Sequence, residues 1–441
     1  MANSNRLLAD NFNTNPYWWD AAPPETARDD LPNQVDVVVV GSGYCGMTAA
    51  AELAAEGASV AVVDAKELGI GGSTRSGGMV SSGQKLVVSN AISGVSPDRL
   101  ERLLRESLAS FDYLKDLVKR ESLDADLQIS GRFFGAYTPA HFKRLRAQGQ
   151  LLREKTGVTV HEIARSQQHA VIGSDYYHGG ILVDEYGGLH TAKYHRSLRD
   201  LARRRGVGLY SHAPVLRIDR IDQPGSGFQV ITGRGSIRAT HVVLATNGYT
   251  GAVVPYLQKR VVPVASYQIA TATLPAELMA RLIPAGRMIS DSKRNLFYIR
   301  PSPDGTRILF GSRPTIVDIA EQDAAPLLHR KLVEVWPQLH DVQISNCWKG
   351  YVAMTWDKIA HIGEQDGLHY AVGCNGNGVA LMTYLGSRIA RKLLAKADAA
   401  CAFDEGQFPG SPLGGSQTWV VPFGAALYRI GDRFDAMARH G

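Results

Sequence analysis

Three glycines and one aspartate have the spacing of a dinucleotide site: Gly41, Gly43 and Gly46, followed eighteen residues later by Asp64. In such a turn the first glycine permits a tight bend, the second lets the backbone approach a pyrophosphate, and the third lets the next helix pack closely. The free N–H groups at the helix start face the phosphates. A carboxylate at Asp64 accepts hydrogen bonds from ribose hydroxyls and disfavours the 2′-phosphate of NADP. The motif predicts a bound dinucleotide without separating NAD from FAD.

Two more glycine-rich stretches could meet the same ligand. Residues 69–78 mix glycines with serine, threonine and Arg75, a composition that predicts a loop whose backbone lies against a flat or charged group. Arg75 is the strong cation of this loop and suits a phosphate or an anionic ring. Residues 373–378 lead into an apolar helix, and the N–H dipoles at that helix start can face another anionic point of the ligand.

Apolar periodicity predicts the elements that must position these turns. The predicted strands are 37–40, 60–63, 208–218, 228–232, 236–239, 241–248, 263–272, 296–300, 307–312 and 368–372. The predicted helices are 47–56, 97–120, 139–155, 195–205, 275–283, 323–336 and 379–394, with 97–120 and 139–155 expected in a cap. The short strands within 262–345 predict an antiparallel sheet inserted into the nucleotide fold, where it can form a platform over the cofactor. The fold class is therefore mixed α/β.

Composition narrows the protein class. The chain has 441 residues and a net charge of +6, with no Lys/Arg block of the kind that binds nucleic acid. Four cysteines without paired spacing indicate a reduced, cytoplasmic protein with no disulfide and no metal site. We expect no signal peptide, because the first thirty residues are polar, and no transmembrane segment. Tyr17, Trp18 and Trp19 are expected to dock on a surface or on a neighbouring subunit, so a homo-oligomer is open.

Taken in order, these pieces resemble the glycine oxidase/D-amino-acid oxidase (DAO) superfamily of FAD enzymes, and more closely its gamma-glutamylputrescine oxidoreductase-like branch. The similarity covers nearly the whole chain. The stretches that carry it are 41–46, 72–78, 188–194, 243–249, 263–270, 297–300, 308–313, 350–355, 376–381 and 419–432.

The resemblance implies a Rossmann-like FAD-binding domain interleaved with an antiparallel-sheet substrate domain. The implied division is an N-terminal arm at 1–34, an FAD-binding domain at 35–90, 180–255 and 345–400, a substrate or cap domain at 91–179 and 256–344, and a tail at 401–441. FAD is expected to be noncovalent, because the flavin-linking cysteine of sarcosine oxidases aligns near Val352.

The resemblance also implies where the cofactor lies. The ribose would meet Asp64 and Ala65, adenine would meet the backbone of Val215, and residues 376–379 would aim N–H groups at the N1/O2 edge of the flavin. The implied cofactor-binding residues are Gly41, Gly43, Tyr44, Cys45, Gly46, Asp64, Ala65, Gly72, Ser73, Thr74, Arg75, Ser76, Gly77, Gly78, Met79, Val215, Ala245, Thr246, Gly248, Gly376, Asn377, Gly378 and Val379. The family usually has His at Asn377 and Asn at Ser76, so contacts there would differ.

In this superfamily a hydride leaves the carbon beside a deprotonated amine for flavin N5, and the resulting imine is hydrolysed. Alignment of the substrate supplies most of the acceleration. Tyr298 and Arg300 share one face of a predicted strand and would face the flavin, where Arg300 suits a substrate carboxylate. Tyr267, Thr355 and Trp356 are further candidates for the substrate wall.

Several alternatives stay open at this point. The same fold could oxidise a C–O bond in a 2-hydroxy acid or a polyol phosphate, or the chain could be an RNA-associated flavoprotein without catalysis. Leu309 stands where sarcosine oxidases carry an oxygen-activating lysine, so the electron acceptor could be oxygen or a redox partner. The expected partner is a small-molecule amine of undetermined identity.

Overall fold

The structure is a computed structural model that describes residues 7–82, 86, 95–221, 227–411 and 420–437. Trp419, at the start of the tail that carries the resemblance, lies outside these ranges. Within them, no helix is both long and apolar enough to cross a membrane.

A mixed sheet forms around strand Gln34–Val40. This strand pairs in parallel with Val60–Val63 on one side and with Gly235–Leu244 on the other. Its valines are buried on both faces, which explains the continuous apolar run in the sequence. The spatial order is Val215–Arg220, Phe228–Thr232, Gly235–Leu244, Gln34–Val40, Val60–Val63 and Gly208–Tyr210. Two further strands lie off this order: Leu368–Val372 pairs with Gly235–Leu244, and His361–Gln365 pairs with Leu368–Val372.

Two helices that follow glycine-rich turns pack together beside this sheet. They are Tyr44–Ala55 and Gly378–Leu393. Contact is close because Gly386 lies against the backbone of Cys45, where an added Cβ would be 2.3 Å from the Cys45 carbonyl oxygen. The strands before them, Gln34–Val40 and Leu368–Val372, both pair in parallel with Gly235–Leu244, so both helix starts lie at the same end of the sheet.

A larger, mostly antiparallel sheet lies beside the first. Its spatial order is Leu8–Asn13, Ile344–Thr355, Val261–Thr271, Ile308–Ser312, Tyr298–Pro301, Met288–Asp291, Arg132–Gly135, Gly180–Val183 and Val160–Ile163. Helix Glu321–Val335 packs on one face with Ile269 and Phe310, which leaves the other face for a ligand. The mixed α/β fold class is confirmed.

The remaining helices follow their local signals. Pro97–Arg120 and Pro139–Thr156 each begin at a proline after a hydroxyl cap, since Ser96 accepts from Arg99 N and Thr138 from His141 N. The others are Thr191–Arg204, Pro255–Gln258, Ala276–Leu282 and Val420–Met437, with short strands Met79–Val80 and Gly187–Gly188 paired to each other.

Three expectations about organisation were wrong. Helix Pro97–Arg120 packs mainly on Gly378–Leu393 instead of in a cap. Strands Gly180–Val183 and Ile344–Thr355, expected in the FAD-binding domain, belong to the large sheet. The single strand predicted at 208–218 is two strands on opposite edges of the first sheet, because Pro214 lacks an N–H and His212 has a φ of +51°. Periodicity shows which face of an element is buried, but not which partner buries it.

Candidate functional site

A cleft of about 1120 Å³ is lined by residues of both sheets. This volume exceeds the range of about 300–1,000 Å³ that is typical of small-molecule pockets, so a dinucleotide and a second small molecule can share it. Of the cofactor-binding residues expected from the sequence, Gly46 and Thr74 are outside the lining and the rest belong to it.

The first glycine turn has the geometry that a pyrophosphate requires. Gly41 has a φ of +105°, and a Cβ at Gly46 would lie 2.0 Å from its carbonyl oxygen. Gly46 lies outside the cleft lining, but the turn can be this close only because Gly46 has no side chain. Helix Tyr44–Ala55 starts at Gly43, which has no side chain to cap it, and the Tyr44 N–H donates to the Ser73 hydroxyl at 3.1 Å. The N–H groups that follow Tyr44 in the first turn can therefore meet a phosphate.

Asp64 is oriented toward this turn. Its Oδ2 accepts from the backbone N–H of Ser42 at 2.9 Å and from the Ser42 hydroxyl at 2.6 Å, and its Oδ1 accepts from Lys66 N at 3.2 Å. His195 in turn donates from Nε2 to the Ser42 carbonyl at 2.6 Å. The carboxylate is thus held at the cleft, where its remaining lone pairs can accept from a ribose.

The second glycine loop is held by its carbonyl oxygens. The Arg75 carbonyl accepts from Gln268 Nε2 at 2.8 Å and from Trp348 Nε1 at 2.9 Å, and the Ser76 carbonyl accepts from Trp18 Nε1 at 2.9 Å. In a trans peptide the C=O and the next N–H point in opposite directions. The N–H groups of Ser76 and Gly77 therefore point away from these donors, and they can serve an electron-rich ring.

Arg75 itself does not present a free cation. Its Nε donates to the Ile70 carbonyl at 2.8 Å and its Nη1 to the Lys349 carbonyl at 3.1 Å, while its guanidinium carbon lies 4.6 Å from the ring centre of Trp19. The sequence suggested a phosphate ligand, but this side chain braces the loop.

The N-terminal arm completes the support of the loop. Trp18 is fully buried, and Trp19 Nε1 donates to the Thr74 hydroxyl at 2.9 Å. The arm thus docks beneath residues 72–78 of its own chain. Of the two contacts expected for its aromatic residues, the structure shows the one with the surface of the same chain.

Tyr298 is the one expected substrate-wall residue that lines the cleft within the described chain. Its ring lies over Gly311, where an added Cβ would be 1.9 Å from a ring carbon. Its hydroxyl donates to the Tyr267 carbonyl at 3.1 Å and is 2.8 Å from the Ser266 hydroxyl. Burial raises the pKa of Tyr298 to about 12, so the phenol is protonated at neutral pH.

Arg300 lies beneath the loop instead of in the cleft. Its Nη1 donates to the carbonyls of Gly77 and Gly78, each at 3.3 Å, and to the Leu189 carbonyl at 2.9 Å, and its Nε donates to the Pro301 carbonyl at 3.0 Å. Tyr298 and Arg300 do share a strand face, as the alternation predicts, but the loop covers Arg300. Arg300 is thus outside the cleft lining, its Nη2 has no hydrogen-bond partner, and its contact with a substrate carboxylate stays a prediction.

The other three wall candidates also point elsewhere. The Tyr267 hydroxyl donates to the Ile319 carbonyl, and its ring packs in the core on the far face of the sheet. The Thr355 hydroxyl donates to the Ile359 carbonyl, and Trp356 is exposed with its Nε1 near the Lys259 carbonyl. Strand alternation puts Ser266 and Gln268, not Tyr267, on the cleft side.

Sequence reasoning missed Arg132, a buried cation in the lining. Its Nε and Nη2 donate to the Ser290 hydroxyl at 3.2 and 2.6 Å, and its Nη1 donates to the Ser81 hydroxyl at 3.3 Å. The guanidinium carbon is 5.0 Å from the ring centre of Phe134. Burial lowers the pKa of Arg132 to about 10, so it keeps its charge at neutral pH. An arginine within the apolar strand Arg132–Gly135 was the available signal.

The third glycine turn lies close to this arginine. Ser81 donates from its hydroxyl to Asn377 Oδ1 at 3.2 Å. Helix Gly378–Leu393 begins after Asn377 without a side-chain cap. Two uncapped helix starts and an N–H-bearing loop around one cleft fit an anionic, flat dinucleotide such as FAD.

A family model described as DAO, FAD dependent oxidoreductase, matches residues 36–392. The chain belongs to this family. It is an FAD-dependent oxidoreductase, and the resemblance inferred from the sequence is confirmed.

Similar proteins support this family membership along the whole chain. The chain is 28% identical over 426 residues to the oxidoreductase OrdL of Rhizobium meliloti, covering 95% of this chain and 97% of OrdL. It is 28% identical over 417 residues to gamma-glutamylputrescine oxidoreductase of Escherichia coli, covering 93% of this chain and 96% of that enzyme. The structure of glycine oxidase from Geobacillus kaustophilus has a TM-score of 0.71 at 22% identity, covering 87% of this chain and 100% of that one, which shows a shared fold.

Proposed function

We propose that this DAO-family enzyme oxidises the C–N bond of an amine or amino acid at noncovalently bound FAD. The observation that carries the proposal is the chemistry of the cleft: within the described residues, no histidine lines it. Histidine is the commonest general base. An alcohol would need such a base to lose its O–H proton, whereas an amine can lose its proton to water before it binds.

Two other ionisable groups near the cleft floor, Tyr298 and Asp291, do not replace that base. Tyr298 is protonated at neutral pH, as its raised pKa shows. The Asp291 carboxyl is buried, its Oδ1 accepts from the N–H groups of Lys293 and Phe297 at 3.3 and 3.1 Å, and its Oδ2 lies 3.3 Å from Lys293 Nζ, so its oxygens are directed at groups of the protein. These features favour the amine over the 2-hydroxy acid or polyol phosphate that the fold also allows.

The residues of this chain would bind and align the reactants. The first turns of helices Tyr44–Ala55 and Gly378–Leu393 and the loop N–H groups would hold the cofactor. Tyr298, braced by Ser266, would shape the floor and exclude water beside it. When bound, FAD supplies the two-electron acceptor for a hydride from the carbon beside the amine nitrogen, and oxygen or a redox partner then takes the electrons. The nitrogen lone pair forms the C=N bond, and water cleaves it to a carbonyl compound and an amine.

The test is an anaerobic screen with purified, FAD-loaded protein. Amines and amino acids are compared with 2-hydroxy acids and glycerol phosphate, and loss of the oxidised flavin absorbance is measured. We expect an amine to bleach the flavin and the alcohols to leave it unchanged. Bleaching by alcohols alone, or a protein that cannot be reconstituted with FAD, would overturn the proposal. Acid precipitation should release the flavin into the supernatant, and a yellow pellet would contradict noncovalent binding.

A further inference from the structure

We propose that the C-terminal helix Val420–Met437 forms a wall of the cleft beside its floor, and that Tyr428 on this helix contacts the substrate. This inference deepens the proposed function and rests on it. Among the residues of this helix that the structure describes, Tyr428 alone belongs to the cleft lining. The sequence placed the segment in a tail outside both predicted domains and predicted no contact with the substrate there.

Two carboxylates fasten the helix to the loop that precedes the strand of Tyr298. Asp432 accepts from the backbone N–H of Arg294 at 3.0 Å and from that of Asn295 at 2.9 Å. Asp435 pairs with the guanidinium of Arg294. Hydrogen bonds to a charged group are roughly twice as strong as neutral ones. The helix is therefore held against a loop that itself lines the cleft.

A second anchor lies at the end of the neighbouring strand Ile308–Ser312. Arg429 donates from Nη2 to the Pro314 carbonyl just after this strand. Asn295 donates from Nδ2 to the Arg313 carbonyl at 2.9 Å, which joins the two anchored loops to each other. The helix thus spans the ends of the two strands that carry the cleft floor.

Helical spacing separates the inner face of this helix from its outer face. Tyr428, Asp432 and Asp435 stand at i, i+4 and i+7, so they share one face. Leu427 and Phe434 lie on a different face and are 68% and 66% exposed. Since the two aspartates are bonded to the loop beside the floor, Tyr428 points in the same direction, into the cleft.

Tyr428 also lies near the floor tyrosine. Burial lowers the pKa of Arg313, and the phenols of Tyr298 and Tyr428 act against this shift because both are close to its guanidinium. The anchors of the helix all belong to segments next to strands of the large sheet, whereas the turn at Gly41 and the carboxylate of Asp64 follow strands of the other sheet. Tyr428 should therefore affect the binding of the substrate without changing the affinity for FAD.

The first test compares two aromatic residues of the same helix. Tyr428→Ala and Phe434→Ala each remove one ring, from the inner and from the outer face. Steady-state rates are measured with the compound that bleaches the flavin fastest in the screen above. We expect Tyr428→Ala to raise the KM about 10-fold and to keep kcat within about two-fold, because a ring contact with the bound substrate is lost. Phe434→Ala should leave the KM unchanged, and both variants should keep the wild-type Kd for FAD.

Three results of this comparison would overturn the assignment. The first is a KM within about two-fold of the wild type in Tyr428→Ala. The second is an equal rise of the KM in Phe434→Ala. The third is a weaker Kd for FAD in Tyr428→Ala, which would show that the helix supports the cleft as a whole and that Tyr428 has no specific contact with the substrate.

A second test does not require turnover. Tyr428→Cys and Phe434→Cys place a thiol on the inner and on the outer face, and FAD-loaded protein is treated with N-phenylmaleimide. The native cysteines Cys45, Cys347, Cys374 and Cys401 are buried, and wild-type protein treated in the same way corrects for any reaction at them. The phenyl group attached at position 428 should enter the cleft and shift the absorbance bands of the flavin, whereas the same group at position 434 should not. Failure to label position 428, or labelling confirmed by mass without a change in the flavin spectrum, would overturn the inference.

The outcomes separate this inference from the proposed function. If alcohols and not amines bleach the flavin, the proposed function fails, and the KM for the best alcohol still tests Tyr428. If no compound bleaches the flavin, the maleimide experiment alone decides the inference. If an amine bleaches the flavin and Tyr428→Ala leaves its KM unchanged, the proposed function stands and the assignment to Tyr428 fails.

Discussion

Substitution of Arg300 by methionine should destabilise the protein and loosen its hold on FAD. Methionine fills a similar volume but leaves the carbonyls of Leu189 and Pro301 without their donors, which now lie at 2.9 and 3.0 Å. Hydrogen bonds to a charged group contribute about 1.5–3 kcal/mol each, so two of them give roughly 3–6 kcal/mol. Part of this loss is offset, because the folded state of the variant no longer buries a cation. The free energy of unfolding should therefore fall by about 2–4 kcal/mol.

The affinity for FAD should fall with stability, because the same guanidinium anchors the carbonyls of Gly77 and Gly78 in the loop that lines the cleft. Urea titration gives the free energy of unfolding, and quenching of flavin fluorescence on binding to apoprotein gives the Kd for FAD. Arg287→Met, at an arginine near Gly131 and outside the cleft lining, is the comparison and should leave the Kd for FAD unchanged.

The opposite pattern would refute this reasoning. If Arg300→Met keeps the unfolding free energy within about 0.5 kcal/mol of the wild type and leaves the Kd for FAD unchanged, but raises the KM for a carboxylate-bearing amine tenfold or more, then Arg300 reaches the substrate.

Three other predictions concern the supports of the site. Burial lowers the pKa of His195 to about 4 from its ordinary 6.5, so the unfolded chain binds this proton first as the pH falls. We therefore expect the free energy of unfolding, measured by urea titration, to fall by about 2–3 kcal/mol between pH 6.5 and 4. His195→Gln should flatten this dependence on pH. Gly311→Ala should push the Tyr298 ring from the floor and lower the melting temperature, whereas Gly251→Ala, which adds a Cβ to open space, should leave the melting temperature unchanged. Trp18→Phe removes the N–H that donates to the Ser76 carbonyl in the second glycine loop. The loss of this hydrogen bond costs about 1 kcal/mol, which should appear as a roughly five-fold weaker Kd for FAD. An unchanged Kd would show that the arm does not support the loop.

Local chemistry explains what could be predicted. The turn at Gly41–Gly46, the strands on both sides of it and most helix limits depend on residues adjacent in sequence, through backbone freedom, capping and apolar spacing. The family could be predicted for the same reason, since its motifs are short stretches in a set order. The cleft lining agrees with these predictions, with exceptions such as Thr74, whose hydroxyl turns away to bond the Gly69 carbonyl.

The sequence alone determined the cofactor turn, the elements around it and the class of enzyme. Only the tertiary structure decided which side chains reach the ligand. Arg300 and Gly78 are 222 positions apart, and nothing in either segment shows that the loop covers the strand. Similarly, the side-chain period of a strand separates Tyr267 from Ser266 and Gln268, but it does not say which set faces the cleft. Arg132 is held in the cleft lining by Ser290 and Ser81, which are distant from it in sequence. Contacts of this kind depend on how the two sheets pack, and packing depends on the whole chain.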